Sequence, residues 1–257
     1  MENGKIITND SEIANIFIDF YTNIVKYSSG NPPSSIADTL PPGTSFNIII
    51  NGILNNYKYH PSITCIKEKR SYTGTFKFRL ASEIEILKLL KSLDSKKAIG
   101  IDGLPSFIKK LSAEILAKPL TSIINESIRE TNFPTSAKFA AILPLFKKDE
   151  RSQKNNYRPV GIWSAFSKIL GTFLQNQIVA FMDNFLSIYV SAYRKGHITQ
   201  HVLVRLIEEW KNGLDDGYIV GSVLMDLSEA FDCIPHDLLI AKLVAYGFER
   251  SALKYII

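Results

Sequence analysis

The residues best suited to chemistry fall into two oppositely charged stretches of the chain. Residues 138–168 carry seven lysines and arginines against two acids, whereas residues 205–250 carry nine acids against four bases. Asp226 stands near the end of the apolar run 218–227, where a buried central strand would deliver a carboxylate to a site. Phosphoryl transfer needs such a combination, because basic groups bind a polyanion while carboxylates hold Mg²⁺. The alternative is that both stretches are solvated surfaces.

Two further patterns look like sites but favour ordinary structure. Asp215 and Asp216 precede Gly217, which is typical of a turn, so we interpret them as a hairpin or loop. His197 and His201 have the spacing of metal ligands on a helix, but no third ligand is placed to complete a site. Neither pattern predicts a metal centre.

Hydrophobic spacing and capping residues predict the elements that must position these groups. Ser82 and Glu85 form a capping box at the start of one helix. Helices are predicted over 8–26, 82–97, 106–117, 119–130, 164–183, 199–212 and 235–246, and strands over 73–80, 140–146 and 218–227. The Ser-, Pro-, Gly- and Asn-rich segment 28–61 is interpreted as a linker.

Length and composition exclude several classes of protein. The chain has 257 residues, of which 46% are hydrophobic and 21% charged, so disordered and fibrous classes are excluded. Its two cysteines, Cys65 and Cys233, form no metal-binding or disulfide pattern, which favours a reducing compartment. The first ten residues lack a secretory signal, and no stretch is apolar enough to span a membrane. We therefore expect an intracellular protein, cytoplasmic or nuclear, that is not associated with a membrane.

Five motifs, in order and with matching spacing, resemble those of one family, the reverse transcriptases of non-LTR retrotransposons of the LINE type, jockey-like in character. Residues 223–232 (VLMDLSEAFD) and 234–239 (IPHDLL) are similar to its first catalytic motif. The other similar segments are 98–105 (AIGIDGLP), 146–148 (FKK), 156–160 (NYRPV) and 194–199 (RKGHIT). The resemblance runs from about residue 84 to the end of the chain and implies RNA-directed DNA polymerase activity.

The resemblance implies roles for residues of the first catalytic motif. Asp226 would be the catalytic carboxylate and a Mg²⁺ ligand, and the carbonyl of Leu227 would share the ion. Phe231 would lie beneath the sugar of the incoming nucleotide and exclude a 2′-hydroxyl. Without the resemblance, Asp226 would be interpreted as a turn or helix cap and Phe231 as a core residue.

Basic residues upstream would hold the substrates. The resemblance implies that Arg158, with either Lys147 or Lys148, binds the triphosphate of a deoxynucleoside triphosphate. Arg194 and Lys195 would lie along the template backbone, where contacts are independent of sequence. The implied partners are therefore an RNA template, a DNA primer and deoxynucleoside triphosphates, and the complete parent enzyme would use two Mg²⁺ ions.

One departure from the family pattern concerns its paired catalytic aspartates. After the first motif the chain has no aromatic-Ala-Asp-Asp sequence, and Asp232 and Asp237 are the only aspartates that follow Asp226. Because two-metal catalysis requires both ligand sets, we expect at most half of a Mg²⁺ site and an isolated chain that is inactive. The alternative is a non-enzymatic remnant of a mobile element that binds nucleic acid or has no function. An unrelated Mg²⁺ phosphohydrolase would need a further acidic cluster.

The resemblance also implies a fold. We expect an α+β protein that comprises the fingers and a partial palm of a right-hand polymerase, helix-rich with a short, incomplete antiparallel sheet. Residues 1–80 would form an N-terminal helix and linker region before the polymerase, and residues 81–257 the fingers and first part of the palm.

Overall fold

A computed structural model of the protein describes residues 7–23, 35–226 and 233–257. Its helices are α1 (Asp10–Thr22), α2 (Ile36–Thr39), α3 (Phe46–Asn56), α4 (Pro61–Lys69), α5 (Glu83–Lys91), α6 (Ser106–Leu111), α7 (Ala113–Arg129), α8 (Ala165–Met182), α9 (Thr199–Asp215), α10 (His236–Tyr246) and α11 (Arg250–Ile256). Two strands, β1 (Ala140–Phe146) and β2 (Tyr157–Trp163), form an antiparallel sheet. The described part of the chain is therefore helix-rich and α+β, as predicted. None of its helices combines the length and the apolar character that crossing a membrane requires.

Local signals place the ends of several helices where the sequence predicted them. The Ser82 hydroxyl accepts a hydrogen bond from the Glu85 amide, and the Glu85 carboxylate accepts one from the Ser82 amide, which confirms the capping box of α5. The Ser164 hydroxyl caps α8 by accepting from the Ser167 amide at 3.1 Å. Gly247, with a φ of 103°, ends α10 in the left-handed conformation that glycine adopts without strain.

The largest core lies between α5, α7 and α8. Ile86 of α5, Ile124 of α7 and Leu170 of α8 are each 0% exposed. Ala137, just before β1, and Tyr255 of α11 belong to the same cluster. The strand pair thus lies between two parts of this core, Ala137 before β1 and helix α8 after β2.

The prediction of a linker over 28–61 is wrong for the described residues 35–61. Ile50 and Ile53 of α3 are 1% exposed and pack with Ile63 of α4 against Ile240 and Ala245 of α10. The Asn- and Gly-rich composition lowers helix propensity, but burial of these isoleucines against a distant helix outweighs it. Residues 24–34, which include the end of the predicted first helix, lie outside the described residues.

Two predicted helix boundaries are also wrong. Pro119 does not begin a helix but lies inside α7, on its exposed side. A proline there removes one hydrogen bond, to the carbonyl of Ile115, and the exposure of Ile115 lets water replace it. Helix α5 ends at Lys91 rather than near Lys97, and residues 92–105 form turns and irregular structure.

The predicted strand 73–80 is reduced to a single bridge. The Phe76 amide donates to the Gly247 carbonyl, and the Glu249 amide donates to the Phe76 carbonyl, both at 2.9 Å. Side chains alternate in the middle of the segment, with Phe76 buried and Lys77 exposed, but Leu80 at its end is exposed as well. Extended backbone forms without a sheet because this segment contacts one short turn instead of a second strand.

The predicted buried strand over 218–227 is wrong for the described residues 218–226. These have no strand structure, and Ile219, Leu224 and Met225 are 99%, 91% and 88% exposed. A strand needs a partner for its backbone groups, and within the described residues β1 and β2 pair only with each other. Asp215–Gly217 is the end of α9 and not a hairpin, since Asp215 is its last residue and Gly217 has a φ of 79°.

Candidate functional site

The candidate site is built on the hairpin formed by β1, β2 and the turn 147–156. The strands pair up to Phe146 opposite Tyr157, and the Lys147 amide then donates to the Asn156 carbonyl at 2.8 Å. The Asn156 side chain donates to the Glu150 carbonyl at 2.9 Å and closes the turn. The hairpin is therefore held by its own hydrogen bonds up to its tip.

Arg158 and Lys147 lie on the same face of this hairpin. Arg158 is directly opposite Leu145, and Lys147 is two residues beyond Leu145 on the paired strand. Because side chains alternate along a strand, all three point to one side, and diagonal neighbours of this kind are about 7–8 Å apart. Both basic side chains are exposed and form no ion pair with the residues that the structure describes. Two free cations on one open face can bind a triphosphate, the arginine through its planar fork and the lysine as a point charge.

Lys148, the other lysine that the sequence offered, lies elsewhere. It follows the last ladder bond, in the turn, with its Nζ 3.9 Å from the Asp149 carboxylate. Asp149 has a φ of 66°, so the chain turns away from the strand direction at this point. The register thus favours Lys147 as the neighbour of Arg158.

Helix α1 contacts the opposite face of the hairpin near its tip. Tyr157 stacks edge-on against Phe146 at 5.5 Å and against Phe17 of α1 at 5.1 Å between ring centroids. Burial at this contact, together with the neighbouring Tyr157, raises the pKa of Tyr21 above its ordinary value. Helix α1 thus contacts the hairpin only near its tip on this face, since Ile142 of the same face is 54% exposed.

Apolar side chains surround Arg158 on the open face, and the sequence analysis missed them. Leu143, Leu145 and Val160 are 51%, 54% and 40% exposed, and Val160 pairs with Leu143. The continuous apolar run of β1 indicates a strand, but it carries no signal for which face is covered. These side chains provide a surface on which a base or sugar could lie.

Asp226 lies in the exposed irregular segment that follows α9, and its carboxylate makes no hydrogen bond or ion pair with the described residues. Leu227 and Phe231 fall outside the described residues. No group of three or more His, Cys, Asp or Glu side chains in the described part of the chain is arranged to hold a metal ion.

The two residues implied in template binding differ in their surroundings. The Arg194 guanidinium donates to the Asp183 carboxylate at 2.7 Å and to the carbonyls of Ser187 and Val190 at 3.1 and 3.3 Å. Its side chain is 15% exposed, so it holds the loop after α8 in place. Lys195 beside it is exposed.

The loop 98–105 contains an ion pair that the sequence analysis did not single out. Lys109 Nζ lies 2.6 Å from Asp102 Oδ2 and 2.8 Å from the Leu104 carbonyl, and its side chain is 11% exposed. Burial raises the pKa of the Asp102 carboxyl, but hydrogen bonds from Lys109, Leu104 and Ala165 outweigh it and hold that pKa below its ordinary value. The Asp102 carboxylate is thus charged and fully engaged.

Comparison with known proteins gives three relatives, all from mobile elements of Drosophila. The chain is 33% identical over 162 residues to a probable RNA-directed DNA polymerase from transposon BS of Drosophila melanogaster. The matched region covers 62% of this chain and 18% of the relative. It is 26% identical over 156 residues to the probable RNA-directed DNA polymerase from transposon X-element of the same species, covering 59% and 17%. It is also 26% identical over 161 residues to the RNA-directed DNA polymerase from mobile element jockey of Drosophila funebris, covering 62% and 18%.

These similarities confirm the resemblance to jockey-like non-LTR retrotransposon polymerases. The matched region is less than a fifth of the length of each of these relatives. No protein-family model matches the chain.

Proposed function

We propose that the chain is part of the reverse transcriptase of a jockey-like retrotransposon, and that its hairpin binds the triphosphate of an incoming deoxynucleotide. In this proposal residues 81–257 are the fingers and first part of the palm of a right-hand polymerase, preceded by residues 1–80. The observation that supports it most is the exposed pair of Arg158 and Lys147 on the same face of the hairpin. Side chains on a well-paired hairpin are better oriented than those on a free loop.

In the complete enzyme, the bound triphosphate would be attacked at its α-phosphorus by the 3′-hydroxyl of a DNA primer paired to an RNA template. The new phosphodiester bond forms as pyrophosphate leaves. Arg158 and Lys147 would offset the negative charge on the departing phosphates. Asp226 and the Leu227 carbonyl are the proposed metal ligands and Phe231 the residue beneath the sugar. Because Asp226 supplies one carboxylate, we assign this chain the nucleotide-binding part of the reaction.

Template contact in this proposal depends on Lys195 more than on Arg194. Lys195 is exposed and can approach a phosphate, whereas the Arg194 guanidinium is engaged by Asp183. Arg194 would act by shaping the loop that presents Lys195. Such a contact would be independent of sequence and weakened by salt.

The test is the dissociation constant of a fluorescent deoxynucleoside triphosphate for the 257-residue chain at low salt. Arg158→Ala and Lys147→Ala should each weaken binding about fivefold, since an exposed charged contact contributes about 1 kcal/mol. Lys148→Ala removes the same charge from the turn and is the matched control, with little expected effect. Equal losses for all three variants would contradict a defined triphosphate site.

A second candidate function is sequence-independent nucleic-acid binding by the basic stretch 138–168. Lys138, Lys147, Lys148 and Arg158 are all exposed, which favours contact with a phosphate backbone. In that case affinity for a single-stranded oligonucleotide should fall steeply with salt, by about 0.7 in log K per log salt for each phosphate neutralised. All four lysine and arginine substitutions would then weaken binding alike.

A further inference from the structure

The loop 98–105 is seated against the point where β2 passes into α8. A Cβ atom on Gly100 would lie 2.7 Å from the Trp163 carbonyl oxygen and 2.8 Å from Ser164 Cα, so the two backbones approach more closely than any other residue would permit. The loop therefore lies directly against Trp163 and Ser164 of the junction.

The ion pair of Asp102 with Lys109 keeps the loop in this shape. Lys109 belongs to α6 and is buried, with 9% of its surface exposed, and it donates to both Asp102 and the Leu104 carbonyl. The Leu104 amide in turn donates to Asp102 Oδ1 at 3.2 Å. One carboxylate thus joins α6 to the loop.

This junction bears directly on the orientation of the hairpin. Arg158 is in β2, which runs without interruption into Trp163, Ser164 and α8, and α8 is fixed in the main core through Leu170. Each residue of a strand adds about 3.3 Å of length. A small rotation at the junction therefore moves the distant tip of the hairpin by a larger distance than it moves the residues beside the junction. Contacts at Trp163 and Ser164 therefore govern where the face that carries Arg158 points.

We propose that Asp102 and Lys109 are positioning residues that set the angle of the β1–β2 hairpin to α8 and so place Arg158 for triphosphate binding. The placing of Arg158 for triphosphate binding rests on the proposed function. The angle of the hairpin to α8 does not depend on it. A merely structural ion pair would stabilise α6 without affecting the direction of the hairpin.

The experiment measures the distance between spin labels on the hairpin turn and on α8. Labels attached at Lys148→Cys and Asn176→Cys, both at exposed positions, are used in the full chain with Cys65 and Cys233 replaced by serine. Asp102→Asn should shift or broaden the distance distribution while circular dichroism stays helical. The same variant should weaken triphosphate binding at least about fivefold.

Two further variants make the test decisive. Ile124→Val, in the buried core of α7, is the control for general destabilisation and should leave both the distance and the affinity unchanged. Gly100→Ala disturbs the same junction without changing charge, and should move the hairpin even if Asp102→Asn fails to fold. An unchanged distance distribution in a folded Asp102→Asn or Gly100→Ala chain would overturn the inference. Absence of triphosphate binding in the unmodified chain would refute the proposed function alone, since the distances still decide the role of the junction.

Discussion

The carboxylate of Asp237 accepts a hydrogen bond from the Ser35 hydroxyl at 2.8 Å, across 202 positions of sequence. Its other oxygen accepts from the Ile36 amide, also at 2.8 Å, which caps the first turn of α2. Asp237 is 7% exposed. Its place in the first turn of α10 also lets the carboxylate complement the helix dipole. The structure adds a tether between the N-terminal segment and the helix that follows the Asp226 motif.

Replacing Asp237 should therefore destabilise the whole chain. Asp237→Ala removes two charge-assisted hydrogen bonds from a buried place, and we expect the free energy of unfolding to fall by about 2–3 kcal/mol in urea denaturation. Asp38→Ala is the control, because Asp38 contacts the same Ser35 from an exposed position at 3.3 Å. If both substitutions lower the free energy of unfolding by the same small amount, the tether is refuted.

Stability should depend on pH through Glu85. The hydrogen bonds from Arg79, assisted by those from Ser82 and by the Arg79 charge, outweigh burial and lower the pKa of Glu85 to about 2. Because this pKa is lower in the folded chain than in the unfolded one, the stabilisation is present above about pH 4.5 and is lost as the pH falls towards 2. Glu85→Gln should thus lower the unfolding free energy at pH 7, and the difference from the unmodified chain should vanish near pH 2. Glu83→Gln, in the same turn of α5, should show no such convergence.

The exposed segment 218–226 should make the isolated chain prone to aggregation. Leu224 and Met225 are 91% and 88% exposed, and contiguous exposed apolar side chains promote association. Replacing both by lysine should raise the soluble fraction measured by sedimentation. Lysines at Thr135 and Ser136, which are exposed and polar, add the same charge and should help much less. A soluble monomer without any substitution would show that the segment is covered in solution.

The isolated chain should not extend a primer. One carboxylate at Asp226 leaves Mg²⁺ without the second ligand pair that two-metal catalysis uses. A primer-extension assay on an RNA template, with Mg²⁺ or Mn²⁺, should give no more product from the unmodified chain than from Asp226→Ala. Product that disappears in Asp226→Ala would disprove this prediction and would require another acid, such as Asp232 or Asp237, to act as a ligand.

Sequence alone determined the features that depend on neighbouring residues. The capping box of Ser82 and Glu85, strand β1, helix α8 and the end of α10 at Gly247 were all predicted correctly, because caps, apolar runs and glycine act within a few residues. The jockey-like resemblance was likewise visible, since its motifs are short continuous segments.

Tertiary structure alone decided the features that join distant segments. Helix α3 forms in an Asn-rich segment because Ile50 and Ile53 are buried against α10, and no local signal reveals that partner. The apolar run 218–226 stays unpaired because a strand depends on a second strand, which hydrophobicity alone cannot supply. Which lysine accompanies Arg158 was decided by the register of β1 on β2, because a shift of one residue would have turned Lys147 to the opposite face of the hairpin.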